Sequence, residues 1–184
     1  MLSHSMSVFH RLAVLLALAT LALAGAAHAA TARITFILVN DIYLMEDQMM
    51  PDGQRRGGFA RLAAVVKAER AKGGRVVLAH AGDTLSPSLM SSIDRGAHII
   101  ALTNMIAPDI FAPGNHEFDF GKATFLQRMD EAQFPLFAAN LRGPDGRPLQ
   151  KFKDRSLMHI DGVRIGLTGA TYTSDDNQLV LEVH

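Results

Sequence analysis

Gly114-Asn115-His116-Glu117-Phe118-Asp119-Phe120-Gly121 is the stretch that decides how this chain is read. An amide, an imidazole and two carboxylates fall within five consecutive residues, with a glycine on either side. Upstream lies the apolar run Ile110 to Ala112, broken by Pro113, and downstream a helical pattern begins near Lys122. A strand, a tight polar loop and a helix is how α/β enzymes present reactive groups at the carboxyl edge of a parallel sheet. Asn115 offers a carbonyl oxygen to a metal, and His116 exchanges a proton near neutral pH. Asp119, three residues on, can hold that imidazole in one tautomer. Taken alone, the segment reads more simply as a turn built from residues that turns favour. The rest of the chain weighs against that.

Working outward, the chain alternates strands and helices. Arg33 to Val39 is rich in Ile, Phe and Val and suits a buried first strand, running into Asn40-Asp41-Ile42-Tyr43. Met45 to Arg56 reads as a polar, Met-rich loop. Gly57-Gly58 precedes a helix of about four turns with Phe59, Leu62, Ala63 and Val66 on its apolar face. Arg75 to Ala79 is a second strand ending in His80-Ala81-Gly82-Asp83-Thr84, and a mixed segment follows Pro87. Ala97 to Ile106 is a helix with His98, Ala101, Leu102 and Met105 on one face. Asp109 to Ala112 is a third strand, and Lys122 to Gln133 a helix with Phe125, Leu126 and Met129 inward. Pro135 to Ala139 is a fourth strand, Gly143-Pro144-Asp145-Gly146 a turn, and Lys153 to Leu167 a hairpin turning at Asp161-Gly162.

The 184 residues suffice for one modest domain. Lys+Arg and Asp+Glu both number 18, so no basic field argues for a nucleic-acid partner. The absence of cysteine excludes disulfides, zinc–thiolate sites and cysteine nucleophiles, leaving carboxylates, amides and imidazoles for any metal chemistry. Residues 1–29 read as a signal peptide: a polar start ending in Arg11, an uncharged run from Leu12 to Leu23, and Ala27-His28-Ala29 as the cleavage site. Its removal takes Arg11 and no acid, leaving 17 basic and 18 acidic side chains, net −1. The mature protein is then expected in a periplasm or outside the cell, with no membrane association after cleavage.

Asp41, Asp83 and Asn115 each lie just past an apolar run, so a parallel sheet would bring them to one edge. Two carboxylates and an amide make an oxygen-rich nest for divalent cations. If Asp83 bridged two ions, the pair would lie about 3.5–4 Å apart, an arrangement suited to in-line attack at phosphorus.

Asn40-Asp41, Gly57-Gly58 with Ala60-Arg61-Leu62, Ala81-Gly82-Asp83 and the opening segment resemble, in order and spacing, the calcineurin-like metallophosphoesterase domain, and within it the 5′-nucleotidase branch. The resemblance runs from about Arg33 to about Thr171. It implies an α/β fold, here the N-terminal half of a metallophosphoesterase sandwich of mixed β-sheets flanked by helices, occupying residues 30–184. It also implies two divalent metal ions, Zn, Mn, Mg and Fe all being compatible, and hydrolysis of a small-molecule phosphate ester such as a nucleotide. Residue by residue, Asp41 resembles a ligand of the first metal, Asp83 the bridge and Asn115 a ligand of the second; His116 with Asp119 resembles the catalytic pair.

The chain departs from the family pattern twice. The first block reads Asp41-Ile42-Tyr43 where the family has Asp-x-His, and a phenol with a pKa near 10 is a poorer ligand than imidazole. Nothing after Asn140 matches the later histidines of the family, including its Gly-His-x-His segment. The chain is therefore expected to represent a truncated catalytic domain. The alternatives are the same fold acting on nucleotide sugars or cyclic nucleotides, and a non-catalytic exported remnant.

Other residues receive plainer readings. His80, beside the Gly82-Asp83 block, is expected as a strand-end surface histidine rather than a neighbour that tunes the site, and His98 as a satisfied core or boundary residue. Met45, Met49 and Met50 are packing filler. Ser86 and Ser88 lack a base at a fixed offset, and Gly57-Gly58 lacks the lysine of a phosphate loop and reads as a packing turn.

Overall fold

The computed structural model describes residues 32–171, so the signal peptide expected at 1–29 falls outside the described residues. Strand β1 (Ile34–Val39) opens the fold. Two short strands, β2 (Gln48–Met49) and β3 (Arg55–Arg56), pair antiparallel within the segment expected to be all loop. Helix α1 (Phe59–Ala71) leads to β4 (Arg75–His80). Helices α2 (Leu89–Asp94) and α3 (Ala97–Ile106) come next, then β5 (Ile110–Phe111). A 3₁₀ turn over His116–Phe118 precedes α4 (Gly121–Glu131). Strands β6 (Leu136–Phe137), β7 (Phe152–Lys153), β8 (Arg155–Ile160) and β9 (Val163–Thr168) are the last elements among the described residues.

Among the described residues five strands form one sheet in the order β1-β4-β5-β6-β7, and every pairing in it is parallel. The α/β class and the parallel centre expected from the strand–helix alternation are therefore present. The antiparallel pairs, β2 with β3 and β8 with β9, stand apart from that sheet. At the tip of β8–β9, Asp161 (φ 47°) and Gly162 (φ 82°) both adopt positive φ. That is what a type I′ hairpin turn requires.

The core is built in two clusters. Phe111, Phe118, Phe125, Met129, Phe134 and Leu136 anchor the larger one, and Phe125 is tilted against Phe118 with ring centroids 4.4 Å apart. Phe59, Val66, Leu78, Ile99 and Ile106 form the other, where Ile37 and Val39 of β1 join from the edge. Helix α3 serves both, Ile100 facing one cluster and Ile99 the other.

The inward faces differ from expectation in places. On α3 the buried residues are Ile99, Ile100, Thr103 and Ile106, while Met105 is 81% exposed. An almost uniformly apolar helix carries little directional signal, so its neighbours choose the face. Leu126 of α4 is exposed and Thr124 and Arg128 are buried in its stead. Ala63 of α1 is exposed. No residue of β1 is fully buried: it lies at the end of the strand order, and Phe36 and Leu38 point to an exposed face.

The start of α1 shows why Gly58 stands there. A Cβ on Gly58 (φ 83°) would lie 2.7 Å from the amide nitrogen of Asp47. Asp47 in turn binds Arg55 at 2.6 Å and Arg61 at 2.9 Å, stitching the β2–β3 segment to the helix. The two arginines hold the Asp47 carboxyl below the usual carboxylate range.

Candidate functional site

Register brings the candidate residues together. Val39, His80 and Phe111 end three neighbouring strands and are paired in line, Val39 with His80 and His80 with Phe111. Asp41, Asp83 and Asn115 follow two, three and four residues later, so all three sit in loops at the carboxyl edge of one parallel sheet. Main-chain bonding continues past the strands: the Ala81 amide donates to Val39 at 2.8 Å, the Asp41 amide to Gly82 at 3.1 Å and the Ala112 amide to His80 at 2.9 Å.

Both candidate carboxylates sit on left-handed backbone, Asp41 and Asp83 each at φ 56°. That conformation costs a non-glycine residue on the order of 1–2 kcal/mol. Strain of this kind persists where the surroundings over-determine it and gathers at functional sites. Here the surroundings are backbone. A Cβ on Gly82 would lie 2.1 Å from the Gly114 nitrogen, and one on Gly114 would lie 2.2 Å from Oδ1 of Asp83. The loops after β4 and β5 approach as closely as they do because neither position has a side chain.

Glu117 fills the space beneath those loops. It is fully buried. Its Oε2 accepts hydrogen bonds from the amides of Asp83 at 2.8 Å and Gly114 at 2.5 Å, and its Oε1 from Thr84 at 2.7 Å. Burial pushes its carboxyl above the usual range, and the amide bonds from Thr84, Asp83 and Gly114 pull the other way. Sequence reasoning assigned Glu117 no role. Three of its four partners lie 32 to 34 residues away, and no local periodicity carries such a signal.

Asp83 uses Oδ1 to accept the His116 amide at 3.0 Å. Among the described residues no hydrogen bond engages its Oδ2 or the Asn115 side-chain amide. The Asp41 carboxylate accepts from the side chain of Asn40. Among the described residues no group of three or more His, Cys, Asp or Glu side chains is gathered to hold a metal, and the set here is two carboxylates and one amide. Oxygen donors of this kind suit hard or borderline divalent cations, and the unengaged Asp83 and Asn115 oxygens fit that use.

The His116 ring meets Asp119, Nδ1 to Oδ2, at 2.7 Å, with both side chains part-exposed. The bond to Asp119 raises the His116 pKa above the ordinary histidine value, burial opposes it, and the charges of Asp119, Asp83 and Glu117 add to the rise. With the carboxylate accepting from Nδ1, Nε2 is the atom that takes up and releases the proton.

Tyr43 is half-buried and lines a groove of ≈ 440 Å³ running from Asp41 to Gly58 and Arg61. His80, expected at the surface, is 1% exposed. Its Nδ1 accepts the Gly82 amide at 3.1 Å and its ring lies against Phe111, because β4 is flanked on both sides. Desolvation pushes its pKa down to about 4. His98 is half-buried at the core boundary as expected and bonded through Nδ1 to Asp94 at 2.9 Å, but it is satisfied on one side only, its buried Nε2 having no partner among the described residues. Asn140, three residues past β6, is bonded on both sides of its amide to the Thr171 main chain.

Residues 34–178 match the family model for calcineurin-like phosphoesterases. A snake venom 5′-nucleotidase from Gloydius brevicauda is 29% identical over 149 residues, covering 75% of this chain and 25% of the relative. The NAD nucleotidase of Haemophilus influenzae superposes with a TM-score of 0.68 at 25% identity, covering 75% of this chain and 26% of that one. A 5′-nucleotidase precursor from Thermus thermophilus gives 0.65 at 26% identity, covering 75% and 28%. The chain thus spans about a quarter of the length of these relatives.

Proposed function

Because this chain belongs to the calcineurin-like phosphoesterase family, we propose that it carries the first metal ligands and the acid–base pair of a phosphoric ester hydrolase acting on nucleotides. The observation that carries this reading is the His116–Asp119 bond at 2.7 Å, set beside Asp83 by the 3.0 Å bond from the His116 amide. Asp41, Asp83 and Asn115 would hold divalent ions, which when bound supply a water of lowered pKa and neutralise phosphoryl charge. His116 delivers a proton from Nε2 to the departing ester oxygen, and Asp119 holds the ring and stabilises its charged form. Nucleotide substrates are supported by the 5′-nucleotidase and NAD nucleotidase relatives. Residues 30–184 then form the N-terminal portion of the catalytic domain, in keeping with the share of the relatives that the chain spans.

Purified full-length protein should release phosphate from AMP in millimolar manganese, with a nucleotide sugar and a chromogenic phosphodiester as comparison substrates. Absence of turnover on all three, in folded protein with bound metal, would overturn the reading. Export is part of the same proposal. Mass spectrometry of the processed protein should find an N-terminus at Ala30, and a mature chain still beginning at Met1 would count against it.

A further inference from the structure

We propose that Glu117 and Thr84 are positioning residues that lock the three ligand-bearing loops into one unit, acting on the metal site without touching metal or substrate. The inference rests on the metal-holding role given above to Asp41, Asp83 and Asn115. Both side chains are fully buried. The Glu117 carboxylate joins the loop after β4 to the loop after β5: it takes the amides of Asp83, Thr84 and Gly114 at 2.8, 2.7 and 2.5 Å, with Leu85 more distant at 3.4 Å. Thr84 extends the connection to the loop after β1, its Oγ1 donating to the Ile42 carbonyl at 2.5 Å, one residue from Asp41.

The need for these bonds follows from the backbone. With Gly82 at φ 78° and Asp83 at φ 56°, the chain leaves the extended path, and the amides that follow are lost to the sheet ladder. A buried amide left without a partner is costly, so one carboxylate beneath several amides is a strong restraint. The restraint acts on function as well as on folding. The bonded amides belong to Asp83 itself and to the residue preceding Asn115, so movement of the carboxylate moves both candidate ligands. A glutamine keeps the shape and one oxygen but turns an N–H₂ toward amide donors. An aspartate is one methylene shorter.

The test is a manganese titration, by calorimetry, of metal-free full-length protein in wild-type, Glu117→Gln, Thr84→Val and Thr84→Ser forms, alongside thermal melts of each. Groups that orient metal ligands typically change metal affinity about 10–100-fold when altered. Glu117→Gln should weaken manganese binding by about that factor and raise the manganese concentration needed for half-maximal turnover, with KM for substrate little changed. Thr84→Val should weaken binding less, and Thr84→Ser, which keeps the hydroxyl, should restore it. A folded Glu117→Gln protein with wild-type manganese affinity overturns the proposal, even if its melting temperature falls. If Glu117→Gln does not fold, equal affinity in Thr84→Val and wild type overturns it. Folded wild-type protein that binds no manganese would sink the metal reading itself and this inference with it, whereas unchanged variants beside a metal-binding wild type sink this inference alone.

Discussion

The main-chain amide of His116 donates to Oδ1 of Asp83 at 3.0 Å, across 33 residues of sequence. One carboxylate oxygen is thereby committed to placing the histidine, and the other stays available to a cation. The backbone that carries the imidazole and the candidate bridging ligand are thus joined by one hydrogen bond.

Asp83→Asn should keep that bond, since an amide oxygen can still accept the His116 amide, and the fold should survive. A bridging position that loses its charge should cost both metals or nearly all activity. Asp41→Asn should weaken mainly one ion. Elemental analysis of the purified variants decides, and wild-type metal content in Asp83→Asn would count against its assignment.

His116→Asn should cut turnover by roughly 10²–10⁴, the range for losing a general acid, with metal content little changed. Asp119→Asn should cost less, because the imidazole remains. Loss of metal in His116→Asn would make the imidazole a ligand and its role as acid wrong.

Gly114→Ala places a methyl group 2.2 Å from Oδ1 of Asp83, so the carboxylate must move. Overpacking of this kind costs typically about 1–3 kcal/mol, and metal affinity should fall with stability. Gly121→Ala makes the contrast: it has open space but φ 78°, so only backbone strain of about 1–2 kcal/mol is expected and metal binding should hold. Chemical denaturation and metal titration of the two variants separate these outcomes. Equal metal affinity in both would contradict the close approach of Gly114 to Asp83.

Acid stability should carry a mark from His80. Its folded-state pKa is pushed down to about 4 by burial, whereas an unfolded histidine titrates near 6.5. Below pH 6.5 the unfolded chain therefore takes up a proton that the folded chain refuses, and stability falls as pH drops toward 4. The loss reaches roughly 3 kcal/mol once both states are protonated. His80→Gln removes this dependence, so its stability should vary less between pH 6.5 and 4 than that of wild type. Parallel slopes for the two proteins would mean that the ring is not held neutral.

The sequence by itself determined the parts whose cause is local. The alternation of apolar runs with Gly- and Asp-rich breaks set the order of strands and helices, Ala97 to Ile106 was delimited at both ends, and Asp161-Gly162 specified its hairpin turn. It also marked Asp41, Asp83 and Asn115 as strand-end residues, because position after an apolar run is a property of the chain alone. Only the tertiary structure decided what depends on distant neighbours. The inward face of Ala97–Ile106 was chosen by the two clusters it joins, since nearly every face of that helix is apolar. His80 became a buried, neutral ring because strands pair on both sides of it. Glu117, written in a polar loop, became the floor of the site because two glycines let the loops after Ala81 and Pro113 close to backbone contact, turning several amides onto one carboxylate. Burial and hydrogen bonding over more than thirty residues of separation are set by the packed fold, and no local pattern in the chain encodes them.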